Sequence, residues 1–214
     1  MLAAFLVATI LITLTELGDK TQLLALVLAT RYKAWEVLVG IFVATLVVHF
    51  LSTLVGQAVG DLVPQRVLAV ITGTLFIGFG IWTLRGDTVD DEETRKTAPL
   101  GPILTTAVAF FLAELGDKTQ IMTMTIAADP AAALRTLGTF ASGIVPAGAA
   151  LGSQAARFFG VWMGSTMGMM IADGIAILVG SVLGKKLPER LITRISGVVF
   201  ILFGVAALAV EFIS

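Results

Sequence analysis

The chain has no cysteine and a single histidine among its 214 residues. Disulfides, zinc–thiolate centres, iron–sulfur clusters and multi-histidine metal sites are therefore excluded. Charge is scarce as well. Asp, Glu, Lys and Arg make up 14% of the residues and hydrophobic residues 57%, against about 25% and about 45–50% in a soluble domain. So few polar side chains cannot cover a water-facing surface, and the mean hydropathy is +0.98. A net charge of −1 without a basic tract excludes a nucleic-acid partner, and the apolar content excludes disorder. Composition alone indicates an integral membrane protein, with one membrane domain over residues 1–214 and the lipid bilayer as its surroundings.

A helix needs about 20 apolar residues to cross the hydrocarbon. Six segments qualify: Leu2–Ala29, Val37–Val59, Val67–Leu84, Ile103–Ala127, Val161–Leu183 and Ile195–Phe212. The first lacks the basic start of a cleaved signal peptide and is too long for one, so it is expected to be a span. Arg31, Lys33, Arg85, Arg95, Lys96, Lys185, Lys186, Arg190 and Arg194 fall in loops on one side, and Arg66, Arg135 and Arg157 on the other. The positive-inside rule makes the first side cytoplasmic and places both termini outside. Trp35, Trp82 and Trp162 lie near span ends, where interfacial anchors are found.

What the chain does contain is a polar repeat. Glu16-Leu17-Gly18-Asp19-Lys20-Thr21-Gln22 recurs unchanged as Glu114-Leu115-Gly116-Asp117-Lys118-Thr119-Gln120. Downstream, Gly56, Gly60, Pro64 and Arg66 match Gly180, Gly184, Pro188 and Arg190, and Ile71, Gly73, Phe76 and Gly80 match Ile195, Gly197, Phe200 and Gly204. The expected fold is thus all-α and polytopic, with two three-helix repeats at 1–85 and 102–214 joined by a cytoplasmic acidic linker at 86–101. Three spans per repeat turn the second copy upside down, an arrangement that recurs in transporters with a site at the repeat interface. The copies are offset by 98 at the motif and by 124 afterwards, so the second carries 26 extra residues. They lie within about 128–156 and are expected to form an external hairpin, a re-entrant segment, a short helix or a plain variable loop.

Glu16 lies about 21 Å along the first span and Glu114 about 16 Å along the fourth, both near mid-membrane. Each buried charge there costs on the order of 2.5–3.5 kcal/mol. Glu16, Asp19, Lys20, Glu114, Asp117 and Lys118 must therefore face one another or a wet cavity. In a continuous helix Glu16, Asp19 and Lys20 share a face; Gly18 and Gly116 equally allow the helix to open and expose backbone carbonyls. Thr21, Gln22, Thr119 and Gln120 add neutral oxygens. Such hard donors suit Ca²⁺, Mn²⁺ or Mg²⁺ rather than Cu⁺ or Zn²⁺. Four carboxylates and two lysines total −2, which one divalent cation or two protons would neutralise, so the two are expected to compete. The contrary structural reading is an acid–lysine pair that merely pins two helices.

This doubled Glu-x-Gly-Asp-Lys-Thr motif in a small polytopic chain resembles that of the Gdt-type calcium/manganese–proton exchangers of the lysine-exporter superfamily. The resemblance covers both halves apart from the insertion, which departs from the family's short connection. It implies secondary transport of Mn²⁺ or Ca²⁺ out of the cytoplasm against protons, with no enzymatic activity and no resident cofactor, the ion being cargo. It also implies a site of Glu16, Gly18, Asp19, Lys20 and Thr21 with Glu114, Gly116, Asp117, Lys118 and Thr119. A bacterial-type plasma membrane is the expected location.

Other signals are weaker. His49 and Asp173 are equivalent at the 124 offset and either relay protons or join helices. The acidic run Asp87–Glu93 lacks calcium-loop spacing and reads as a solvated linker. Gly56/Gly60, Gly164/Gly168 and Gly180/Gly184 have the spacing of close helix contacts, and Met163, Met167, Met169 and Met170 read as packing. Three other functions compete with cation exchange. An intramembrane aspartyl protease using Asp19 and Asp117 is disfavoured because the adjacent lysines hold both acids ionised. An exporter of amino acids or other small solutes fits four carboxylates less well than a cation does. A passive cation channel would lack proton coupling.

Overall fold

The computed structural model describes residues 1–85, 100–140 and 151–183, and within 194–209 the helical residues 194, 197, 198, 201, 202, 204–206, 208 and 209. Every regular element among them is α-helical: α1 (Leu2–Glu16), α2 (Lys20–Ala29), α3 (Ala34–Leu62), α4 (Gln65–Arg85), α5 (Pro102–Glu114), α6 (Lys118–Ala128), α7 (Pro130–Phe140) and α8 (Gln154–Leu183). Among the described residues α3 and α8 are each long and apolar enough to cross a bilayer, and the bent pair α1–α2 makes a third candidate. Val43, Val47, Leu51, Leu54 and Val55 on α3, and Phe159, Met163, Met167 and Ile171 on α8, face outward. Apolar surface of this extent needs lipid beside it, and the chain is an integral membrane protein.

The segments carrying the motifs are broken at the same place in each. α1 stops at Glu16 and α2 starts at Lys20, the two meeting at a 77° bend. The cause is local. Gly18 has φ +79° and Gly116 φ +79°, a left-handed conformation that glycine adopts without penalty. The amide N–H of each glycine donates to the side-chain oxygen four residues on, Gly18 to Gln22 Oε1 at 2.8 Å and Gly116 to Gln120 Oε1 at 2.7 Å. Identical sequence has produced identical turns. Glu16, Asp19 and Lys20 accordingly do not share one helix face, because the helix opens at the glycine.

Helix packing is set by glycines that admit a neighbouring backbone. A Cβ at Gly164 would run into Phe5 O and lie 3.0 Å from Ala8 Cβ. One at Gly40 would lie 2.7 Å from Ile103 O and 2.5 Å from Thr106 Cβ. These contacts are equivalent under the offsets of 98 and 124. Gly160, Gly164 and Gly168 run in register along Met1, Phe5 and Thr9, so α1 and α8 are parallel. Gly40, Gly56 and Gly60 run in register along Ile103, Met124 and Ala128, so α3 is parallel to α5 and α6. Gly73 meets Leu208 and Gly204 while Gly80 meets Ile201 and Gly197, so α4 is antiparallel to the helical residues of 194–209.

A Cβ at Gly56 would collide with Met124 O, whereas one at Gly78 meets nothing within 4 Å. Gly56→Ala must push α3 from α6 and is expected to cost about 3 kcal/mol or more, at the top of the overpacking range. Gly78→Ala, which gains helix propensity without a clash, is expected to be neutral or slightly stabilising. Thermal unfolding of the detergent-purified variants, followed by tryptophan fluorescence, measures both.

Several expectations change. The fourth predicted span is two helices, α5 and α6, and the fifth starts at Gln154 rather than Val161. Within the insertion, α7 is a short helix with Ala132, Ala133 and Leu137 buried, started by Asp129, whose Oδ1 accepts the Ala132 N–H at 2.8 Å. Trp162 Nε1–H donates to Leu46 O at 2.8 Å and its ring packs on Phe50. Trp35 is exposed at the start of α3. Met163 and Met167 face outward and Met169 is buried, as packing residues. The acidic run 87–93, most of the linker, Gly184 and parts of the insertion and the last predicted span lie outside the described residues.

Candidate cation site

The two breaks bring the motifs together inside the protein. Glu16, Asp19, Thr21, Gln22, Glu114, Asp117, Lys118 and Thr119 are all buried, and Lys20 and Gln120 are half-buried. Glu16 is held from both motifs: Thr21 donates to Oε1, and Thr119 donates to Oε2 at 3.1 Å. Lys118 Nζ lies 2.6 Å from Asp19 Oδ1, so the lysine of one motif pairs with the aspartate of the other. Gln22 Nε2 donates to Ala172 O at 3.0 Å, tying the first motif to α8 beside Asp173. The cross-motif pair fits the pinning reading in part, but other carboxylates of the cluster are not consumed by it.

Sequence identity does not give identical surroundings. Both threonines of the motif pair serve Glu16, whereas neither carboxylate oxygen of Glu114 has a hydrogen-bond partner among the described residues. Asp117 Oδ2 and both carboxylate oxygens of Asp173 are likewise unpartnered. Leaving buried acceptors unsatisfied is costly, and such atoms mark places where a ligand can supply the partner. Gly116 is exposed, while Gly18 is half-buried. The arrangement offers a set of oxygen donors, some engaged and some available. Among the described residues no three Asp, Glu or His side chains are gathered closely enough to enclose an ion. Coordination would therefore require these side chains to draw together.

His49 sits in α3 with Nδ1 3.4 Å from Thr166 Oγ1 and Nε2 unpartnered. Around this level α3, α6 and α8 also bury Thr45, Ser52, Thr53, Thr119, Thr123, Ser165 and Thr166. Sequence reading passed over most of these hydroxyls. Their signal was the recurrence of Ser and Thr three or four residues apart on otherwise apolar spans, which puts them on one helix face.

Known proteins agree with this chemistry. The family model described as divalent cation/proton antiporter GDT1 matches residues 4–91, 102–150 and 145–213. A Vibrio cholerae protein named "Putative manganese exporter" is 34% identical over 91% of this chain and 85% of its own length. A Synechocystis GDT1-like protein is 30% identical over 97% of both chains, and GDT1-like protein 5 of Arabidopsis thaliana 26% identical over 91% and 90%. No solved structure matches. A matching model over most of the chain, joined to two acidic motifs meeting inside a helical membrane protein, places this protein in the GDT1 family of divalent cation/proton antiporters.

Proposed function

We propose that the chain exports Mn²⁺ from the cytoplasm in exchange for protons, with Ca²⁺ as the competing substrate, through one site shared by both motifs. The observation that carries this reading is the cross-motif linkage: Thr119 donates to Glu16, and Lys118 pairs with Asp19. Glu16, Asp19, Glu114 and Asp117 supply charge, Thr21, Thr119, Gln22 and Gln120 neutral oxygens, and Gly18 and Gly116 the turns that expose them. An arriving ion displaces Lys118 from Asp19 and recruits Glu114. When the ion leaves, protons occupy the same oxygens, and reorientation restricted to loaded states converts that competition into exchange. Asp173, facing the cluster from α8 with both oxygens unpartnered, passes protons to it, with His49 as the equivalent position on α3.

The accompanying topology is six spans in two inverted repeats, both termini outside, in a bacterial-type plasma membrane. Equivalent glycine contacts at offsets of 98 and 124 support it, as do the parallel and antiparallel registers, each of which follows if consecutive spans alternate in direction. The oxygen donors suit Mn²⁺ and Ca²⁺ alike, and the name of the Vibrio relative favours Mn²⁺.

Proteoliposomes with a trapped pH indicator test the reading. Adding Mn²⁺ outside should release protons from the lumen, and a proton gradient should drive Mn²⁺ uphill. Asp173→Asn should slow both by about tenfold, as loss of a group supporting a metal site does. Mn²⁺ flux unaccompanied by proton movement would establish a channel instead.

A further inference from the structure

Away from the motifs, at the end of the molecule that carries Met1, residues of α3, α6, α7 and α8 border a partly open polar cavity of about 120 Å³. Gln57, Gly60, Asp61, Asp129 and Arg157 line it. Asp129 is only 4% exposed. One of its oxygens caps α7, and the other, Oδ2, has no hydrogen-bond partner among the described residues. Capping needs a single acceptor, so the start of α7 does not account for the second. Asp61 is exposed, and its Oδ2 accepts from Gln154 Nε2 at 2.9 Å. Gln57 uses its amide nitrogen on Gln154 O at 3.3 Å.

Size and charge select the ligand. A volume of 120 Å³ holds roughly four waters at about 30 Å³ each. Pockets for organic ligands run to roughly 300–1,000 Å³. Two carboxylates and one guanidinium leave the cavity formally at −1. A hard divalent cation that keeps part of its water shell suits such a site. Arg157 offers donors only and cannot coordinate the ion; its charge opposes the ion and keeps binding weak, as suits a station that must release what it receives. The cavity is also within reach of the central cluster. Asp129 lies ten residues, about 15 Å, beyond Thr119 on α6, and Asp61 twelve residues, about 18 Å, beyond His49 on α3. Thr53 and Thr123 are buried between the two levels, and the Thr53 hydroxyl has no partner.

We infer that this cavity is a second, low-affinity site for the transported divalent cation, at the non-cytoplasmic mouth, with Asp129 and Asp61 as its acidic ligands and Arg157 limiting its affinity. The inference rests on the exchange reading above and extends it. Mn²⁺ titration of the full-length detergent-purified chain, read by loss of the free-ion paramagnetic resonance signal, tests it. With the central cluster removed by Glu16→Gln and Glu114→Gln, one Mn²⁺ per chain should still bind. Adding Asp61→Asn and Asp129→Asn should weaken that ion by about tenfold or more. The asparagine at 129 still caps α7. Arg157→Gln should shift affinity the other way, by about threefold, so the test survives an unstable Asp129 variant. Absence of bound Mn²⁺ in the Glu16/Glu114 variant, or a titration indifferent to these substitutions, overturns the site. If the wild type exchanges normally in vesicles but lacks this ion, the site alone fails. If the ion binds and the wild type moves no protons, the exchange reading alone fails.

Discussion

Glu16→Gln is expected to lower Mn²⁺-driven proton movement by about 100-fold or more, beyond the loss that outer-sphere changes at metal sites produce. Both motifs donate a threonine hydroxyl to this glutamate, Thr21 from the first and Thr119 from the second. Glutamine fills the same space and keeps an acceptor for one threonine, so the fold should persist. It carries no negative charge and cannot alternate between a proton and a metal ion. Its NH₂ group also presents a donor to hydroxyls that now donate to Glu16, which weakens the link between the halves. Both effects act on transport. Proteoliposome flux normalised to the amount of correctly folded, monodisperse protein measures the result. Exchange within threefold of wild type would mean that Glu16 is a structural bridge and nothing more.

Lys118→Met should have the largest effect on stability. The Lys118 and Asp19 side chains are 1% and 0% exposed, with 2.6 Å between Nζ and Oδ1. Removing one member of so buried a pair strands the other's charge and is expected to cost about 3–5 kcal/mol. Converting the partner as well, in Asp19→Asn/Lys118→Met, should recover most of that loss, since an asparagine at position 19 still accepts the Lys20 N–H that Asp19 Oδ1 now takes at 2.7 Å. Lys20 occupies the same place in the first motif but is half-buried, so Lys20→Met should cost clearly less. Thermal unfolding in detergent distinguishes the three. Equal losses at positions 20 and 118 would show that the observed asymmetry between the motifs plays no energetic part.

That asymmetry also marks what sequence could and could not reveal. The seven-residue repeat and the apolar spans are local patterns, and they led directly to an all-helical membrane protein with two acidic clusters brought together. Gly18 and Gly116 signalled that the helices can open, and they do, through the left-handed turns that glycine allows. Which side chains then meet depends on how opened helices cross. A continuous helix would set Lys20 over Glu16, whereas the broken one frees Asp19 to meet Lys118 of the other copy. Thr119 crossing to Glu16 and leaving Glu114 bare is likewise a matter of tertiary packing that two identical heptapeptides cannot encode. Trp162 shows the same limit: proximity to a span end in sequence says nothing of the Leu46 carbonyl on α3 that accepts its N–H. Asp129 carries no signal in sequence; its burial follows from the start of α7 directly after the end of α6.

The count of Mn²⁺ ions at the centre of the protein bears most directly on a shared site. In a chain carrying Asp61→Asn and Asp129→Asn, equilibrium titration should find one tightly bound Mn²⁺ per chain. Either Glu16→Gln or Glu114→Gln alone should abolish it, because in the proposed shared site each motif supplies half of one coordination shell. Two ions per chain, with each glutamate variant losing one and keeping the other, would show two independent sites and contradict the account.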